Sequence, residues 1–496
     1  MSRAESAIPR EKPTPPTEPG RSFGSVDPLG SFQPRIGARM FAKTPIVAGV
    51  VASVIGLISA RFVLSSHPKV AVGMFLAILA GFGILLEPAL GVLAYYNLAF
   101  MRPQETMWGL GNTRFTMMVS VATIGAAVLH FALRPSFAFL WKPQTIFICL
   151  LWIFLHLSAH MNVYGSEQAK WLDYYNKMFL IYFLTLALLN SERWLYLLAW
   201  VIAISIGYLG LWANEQYFVN GWHTVHGPGK KGATYYDENG FAMILTMVIP
   251  FCWYLMIHVK HPLLKLGFFA LLGMAGHAIM VTFSRGGFLG MSCAFAVMMF
   301  RMKNKGLAVA VCAVAAGGFV AVTGPRYVER MLTISNYEED KSATGRLDSW
   351  KVGFRMMAAN PFFGVGFKRY VTEYHTYGKT FAREAHNSWV QLGGESGLIA
   401  VGSHIMLVLL TGSAVLRIRR RLPYLPEESE KVTRTLVGCY ESALVGYVVT
   451  GFFLSMEDFE FFFLLVAMAQ ILDRITEQRL REVQASGVEL PDSVAV

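Results

Sequence analysis

Apolar runs long enough to cross a lipid bilayer recur from about residue 44 to about residue 473, and no other feature restricts the fold of this chain as severely. A hydrocarbon core about 30 Å thick needs roughly 20 helical residues per crossing, and inside it every backbone N–H and C=O must be satisfied within the protein. Helices meet that condition segment by segment, whereas a single buried core helix would not repeat the pattern. Hydropathy and its breaks place expected spans at 44–62, 70–86, 89–100, 116–134, 144–160, 175–190, 194–214, 238–258, 265–282, 288–301, 307–323, 398–416, 436–455 and 459–473. Pro88 interrupts the pair ending near Phe100, so about 12 to 14 spans are expected.

Composition agrees. Hydrophobic residues make up 54% of the 496 and charged residues 15%, where a soluble domain carries about 25% charged. The chain is therefore read as an all-α, polytopic transmembrane helix bundle. The five cysteines, Cys149, Cys252, Cys293, Cys312 and Cys439, all lie in apolar runs. They form neither a disulfide framework nor a CxxC metal signature and are read as small packing residues. The formal charge of +11 comes with no basic motif interleaved with aromatics, so nucleic acid is not an expected partner.

Cytoplasmic loops of membrane proteins carry the excess of Lys and Arg. With the N-terminus inside, the cytoplasmic loops hold Arg134 and Lys142; Arg193; Lys260 and Lys265; Arg301, Lys303 and Lys305; and Arg417, Arg419, Arg420 and Arg421. Residues 1–40, broken by Pro9, Pro13, Pro15, Pro16 and Pro19, read as a disordered cytoplasmic tail. The first apolar run lacks a small-residue cleavage site and is expected to remain as a span. The remaining divisions are a transmembrane bundle over 41–323, a large periplasmic catalytic loop over 324–397, transmembrane helices over 398–473 and a cytoplasmic tail over 474–496.

Cations on the outer side need a separate reason. They are Arg102, Arg114, Lys230, Lys231, Arg285, Arg326, Arg330, Arg346, Lys351, Arg355, Lys368, Arg369 and Arg383. Long loops translocate regardless of charge, so many of those in 324–397 are solvated surface. Arg285 differs, because it stands in Ser284-Arg285-Gly286-Gly287 between two apolar runs, where glycines let backbone N–H groups approach an anion. Its alternative role is to snorkel to headgroups. Gly227-Pro228-Gly229-Lys230-Lys231-Gly232 precedes Asp237-Glu238-Asn239 at a helix start. The lysines suit an anion, although the spacing is not that of a nucleotide P-loop, and Asp237 and Asn239 equally suit helix capping.

In the large loop, Thr344-Gly345-Arg346, Asn360-Pro361, Gly364 and Gly366 lead to Ala385-His386-Asn387-Ser388-Trp389 and Gly393-Gly394-Glu395-Ser396-Gly397. A histidine can take a proton from a hydroxyl near neutral pH, which makes His386 a candidate general base. The alternative is a structural hydrogen-bonder. His223, His226 and His375 are also outward, and none forms a metal-ligand spacing with His386, so no metal or other cofactor is expected.

The order of these blocks resembles the O-antigen ligase and O-antigen polymerase superfamily over roughly 220–470, with Ala385-His386-Asn387-Ser388 and Gly394-Glu395-Ser396-Gly397 its most specific part. Met101-Arg102-Pro103-Gln104-Glu105 with Trp108 and Gly109 is similar to the O-glycosylation ligase branch. The resemblance implies a metal-independent inverting glycosyltransferase of the bacterial inner membrane. Its donor is a glycan on undecaprenyl diphosphate and its acceptor, in ligases, a lipid A-core sugar hydroxyl at the periplasmic face. In polymerases the acceptor is another lipid-linked repeat, and in protein O-oligosaccharyltransferases a Ser or Thr side chain. Carried over, His386 is the base, Arg285 and Arg346 bind the diphosphate, Lys230, Lys231 and Arg102 contribute to substrate binding, and Asn239, Asn387 and Glu395 support the site. A transporter is the competing class, but transporter sites sit near the bilayer midplane, whereas these residues gather at one face.

Overall fold

A computed structural model describes residues 80–106, 115–133, 142–162, 164–229, 235–322, 341–491 and 494. The expected span 44–62 and most of 70–86 lie outside them, as do Lys230 and Lys231. The described residues are helical and contain no strand. In chain order the helices are α1 Pro88–Met101, α2 Pro103–Thr106, α3 Phe115–Leu133, α4 Pro143–Met161, α5 Ser166–Leu188, α6 Glu192–Phe218, α7 Glu238–His258, α8 Pro262–Val281, α9 Arg285–Arg301, α10 Lys305–Val322, α11 Lys341–Ala359, α12 Tyr370–Tyr377, α13 Ser388–Arg421, α14 Glu427–Gly451 and α15 Glu460–Ala485. Six of them, α3, α4, α6, α7, α8 and α13, are long and apolar enough to cross a membrane.

Local sequence sets where these helices start. Pro88, Pro143 and Pro262 open α1, α4 and α8, where a missing N–H costs nothing. Ser191, Asp237, Ser284 and Asn387 cap α6, α7, α9 and α13 through side-chain oxygens. Helix α7 is apolar on every side and almost wholly buried, so it takes the centre of the bundle, against α6, α8, α9 and α14. Helix α13 lies along α4, and α15 packs on both α13 and α5.

Charge divides the bundle's two ends. At one end, Lys142, Arg417 and Arg421 converge on buried Asp473, at 3.4, 3.0 and 2.9 Å. Arg301 and Arg419 pair there with Glu441. These are the cations assigned to the cytoplasmic loops. The starts of α7, α9, α13 and α15 lie at the other end.

The structure adds detail to the expected boundaries. The described part of segment 324–397, the expected large loop between spans, carries α11, α12 and the first turns of α13. Helix α11 is amphipathic rather than apolar: Val352 and Met356 bury one stripe against Tyr370, Tyr374 and Val390, while Lys351 and Arg355 stay exposed. The expected span 398–416 is also part of a longer helix, Ser388–Arg421, broken at Gly397. There φ is +83°, and a Cβ would collide with the Phe362 carbonyl, so the break requires glycine. Likewise α15 continues to Ala485, past the expected end at 473.

Candidate functional site

The site is built where helix starts meet the turn between α14 and α15. Asp237 accepts from the N–H groups of Asn239 (2.8 Å) and Gly240 (3.2 Å), and so caps α7. Asn239 Oδ1 then accepts from the Ser284 hydroxyl at 2.8 Å, and Ser284 Oγ in turn caps α9 by accepting from Gly287 N at 3.1 Å. These two links fix α7 and the Arg285 end of α9 together. Arg285 is the first residue of α9 and half-buried. A Cβ on neighbouring Gly286 would lie 3.1 Å from Phe453, so the backbone beside Arg285 rests directly on the α14–α15 turn.

The same turn holds His386. Its backbone N donates to Ser455 Oγ at 2.9 Å, with φ at +49°, a left-handed conformation unusual for a residue with a Cβ. Asn387 caps α13 by accepting from Trp389 N and Val390 N, and its Nδ2 donates to the Phe452 carbonyl at 3.2 Å. Ser388 Oγ donates to the Leu454 carbonyl (2.8 Å) and accepts from Met456 N (3.0 Å). From the large segment, Trp350 Nε1 donates to the Ala385 carbonyl at 2.8 Å and its ring stands edge-on to Phe452 at 5.3 Å. The imidazole is therefore presented by a backbone fixed on both sides.

Its electrostatic setting favours the neutral ring. Burial holds the His386 pKa below its ordinary 6.5; the Arg346 guanidinium and, more weakly, Arg383 act in the same direction, while Asp237 opposes them. A depressed pKa leaves imidazole free to accept a proton at neutral pH. It also places Arg346 and Asp237 within electrostatic reach of His386, so three separate sequence blocks converge.

Glu395 stands apart from the reacting surface. It is 2% exposed and accepts from Gln391 Nε2 (2.6 Å), Lys368 N (3.1 Å) and Tyr370 N (3.4 Å), knotting α13 to the 364–370 turn. Arg102 lies at the same end of the bundle, 4.9 Å over the Tyr235 ring and 3.1 Å from Glu105. Groups not singled out in sequence are Gln391, Ser455, Glu457 and Asp458, and Lys368 stood there only among the solvated outer cations. The acidic pair in the short gap between two apolar spans was the available signal. Among the described residues no cluster of three or more His, Cys, Asp or Glu could hold a metal ion.

Fold and site together define a multi-pass helical membrane protein that brings Arg285 and His386 against a single turn at one end of its bundle. Residues 269–405, from within α8 to the middle of α13, match a family model described as O-antigen ligase. This stretch contains Arg285, Arg346 and His386, and over it the chain is similar to the O-antigen ligase family. No curated protein matches it.

Proposed function

We propose that this chain is an O-antigen ligase: an inverting, metal-independent glycosyltransferase that moves a glycan from undecaprenyl diphosphate to a lipid A-core hydroxyl at the periplasmic face of the bacterial inner membrane. One observation carries this reading. The turn Phe452–Met456 seats both the Arg285 end of α9 and the backbone of His386, which brings the residues proposed as leaving-group cation and base to one turn.

In this mechanism His386 takes the proton of the acceptor hydroxyl as its oxygen attacks the anomeric carbon. The new C–O bond forms as the bond to the diphosphate breaks, with inversion, and undecaprenyl diphosphate departs. Arg285 and Arg346 offset the charge developing on the diphosphate, which in a water-poor site stabilises the transition state strongly. Holding donor and acceptor in line removes much of the entropic barrier. The assignment of the site to the periplasmic face rests on the basic residues of the opposite end.

Deleting the gene and running the lipopolysaccharide on a gel tests the assignment. Loss of smooth lipopolysaccharide to bare core is the expected result. Core carrying a single repeat identifies a polymerase instead, and an unchanged pattern points to a protein acceptor or a different activity.

A further inference from the structure

Among the outer cations, Lys368 has an arrangement that surface solvation does not explain. It is non-glycine with φ at +54°, and it follows Gly364 (+64°) and Gly366 (+116°), so three residues in five take left-handed backbone. Such conformations persist only where the surroundings hold them. Here Val365 N donates to the Gly394 carbonyl, Gly366 N to the Glu395 carbonyl, and Lys368 N to the Glu395 side chain. The Lys368 side chain is 14% exposed and its ammonium lies 2.7 Å from Glu457 Oε1, 3.5 Å from Asp458 Oδ2 and 4.4 Å over the Trp171 ring.

These contacts close a circuit. Lys368 binds Glu457, two residues after Ser455, which accepts from His386 N. Ser455 Oγ approaches Gln391 Oε1 at 3.3 Å, Gln391 Nε2 donates to Glu395, and Glu395 accepts from the Lys368 backbone. Within this ring Lys368 is the cation that ties the 364–370 turn to the turn carrying Ser455. Glu457 is 1% exposed, and its second oxygen, Oε2, is buried without a hydrogen-bond partner among the described residues, so the carboxylate depends on Lys368 for compensation.

We propose that Lys368 is a positioning residue for His386: its ion pair with Glu457 fixes the α14–α15 turn and thereby the seat of the base. The inference rests on the reading of His386 as the base. Lys368 does not serve as a diphosphate ligand, because two adjacent carboxylates already compensate its charge, whereas a cation for a diphosphate must present net positive charge. Burial alone would lower its pKa, but Asp458, Glu457 and Glu395 outweigh that and raise it well above its usual value, so the ammonium is permanent.

The test is a double-mutant cycle between Lys368→Gln and His386→Ala, read as single-turnover rate and donor affinity of the full-length protein with lipid-linked donor and lipid A core. A base displaced by about 1 Å loses on the order of 10²-fold in rate. Lys368→Gln should therefore slow turnover by about that factor, leave donor affinity unchanged, and cost nothing further in the His386→Ala background. Equal slowing in both backgrounds overturns the proposal, and so does weakened donor binding. If His386→Ala alone is fully active, the base assignment has failed, and the proposal falls with it for that separate reason. Glu457→Gln keeps the shape of the side chain while removing its charge, and it serves as the second probe if Lys368→Gln does not fold. A wild-type rate for a folded Glu457→Gln also overturns the proposal.

Discussion

In the proposed mechanism His386 and Arg285, which are seated against the same turn, have different work, and their variants should separate. Arg285→Ala removes a charge-assisted partner of the phosphates and should weaken both donor binding and turnover. His386→Ala should spare donor affinity while lowering the single-turnover rate about 10²- to 10⁴-fold. Recovery in His386→Gln would assign the histidine to positioning instead. The titration of His386 supplies an independent check. Since burial and Arg346 depress its pKa, the neutral, active form predominates above pH 6.5 and activity falls as pH drops through a lower value. Arg346→Gln should move that acid limb to higher pH, and Asp237→Asn, which preserves the cap on α7, should move it lower. A pH–rate profile of kcat/KM for the three proteins measures both shifts. Limbs that stay in place would detach the titration from His386.

The helices most legible in sequence are those for which lipid demands unbroken apolar windows. Helix α7, for instance, is expected at 238–258 and found at Glu238–His258. Helices α11 and α12 were illegible for the opposite reason: they bury one stripe in a small cluster around Tyr370 and Tyr374, and averaging over a window erases a stripe. The site shows the same division. Gly345-Arg346 and Ala385-His386-Asn387-Ser388 stand out as contiguous blocks, but Ser455 is 69 residues from His386, and Glu457 is 89 from Lys368. Such partners exist only once α13, α14 and α15 have packed. The break in α13 is the element-level test. Gly397→Ala forces a Cβ into left-handed backbone against the Phe362 carbonyl and should cost on the order of 1 to 3 kcal/mol. Gly402→Ala, one turn further on and with nothing within 4 Å, should be neutral. Thermal unfolding of both variants in one detergent tests the contrast; equal stability would mean that the break is not held by glycine.

For the whole molecule, topology is the claim with most at stake, since the proposed reaction requires its donor and acceptor on one side of the membrane. With exposed Cys312 replaced by serine, a cysteine at exposed Lys379 should react with an impermeant thiol reagent applied from outside. A cysteine at exposed Arg420 should react only after the membrane is opened. The reverse pattern would invert the orientation and remove the site from the periplasm. Asp473 adds a matter of timing to this picture. It contacts Lys142, Arg417 and Arg421, which lie on α13 or just before α4, while Asp473 itself arrives on α15, the last helix. Until α15 is in place those cations lack its carboxylates and are available to direct the chain; on completion Asp473, with Glu477 beside it, cancels part of their charge. Asp473→Asn should therefore leave the labelling pattern intact while lowering the stability of the finished protein by about 3 kcal/mol, at the low end for a broken buried pair because Glu477 remains nearby. The same side chains would thus serve first as an address and later as a clasp.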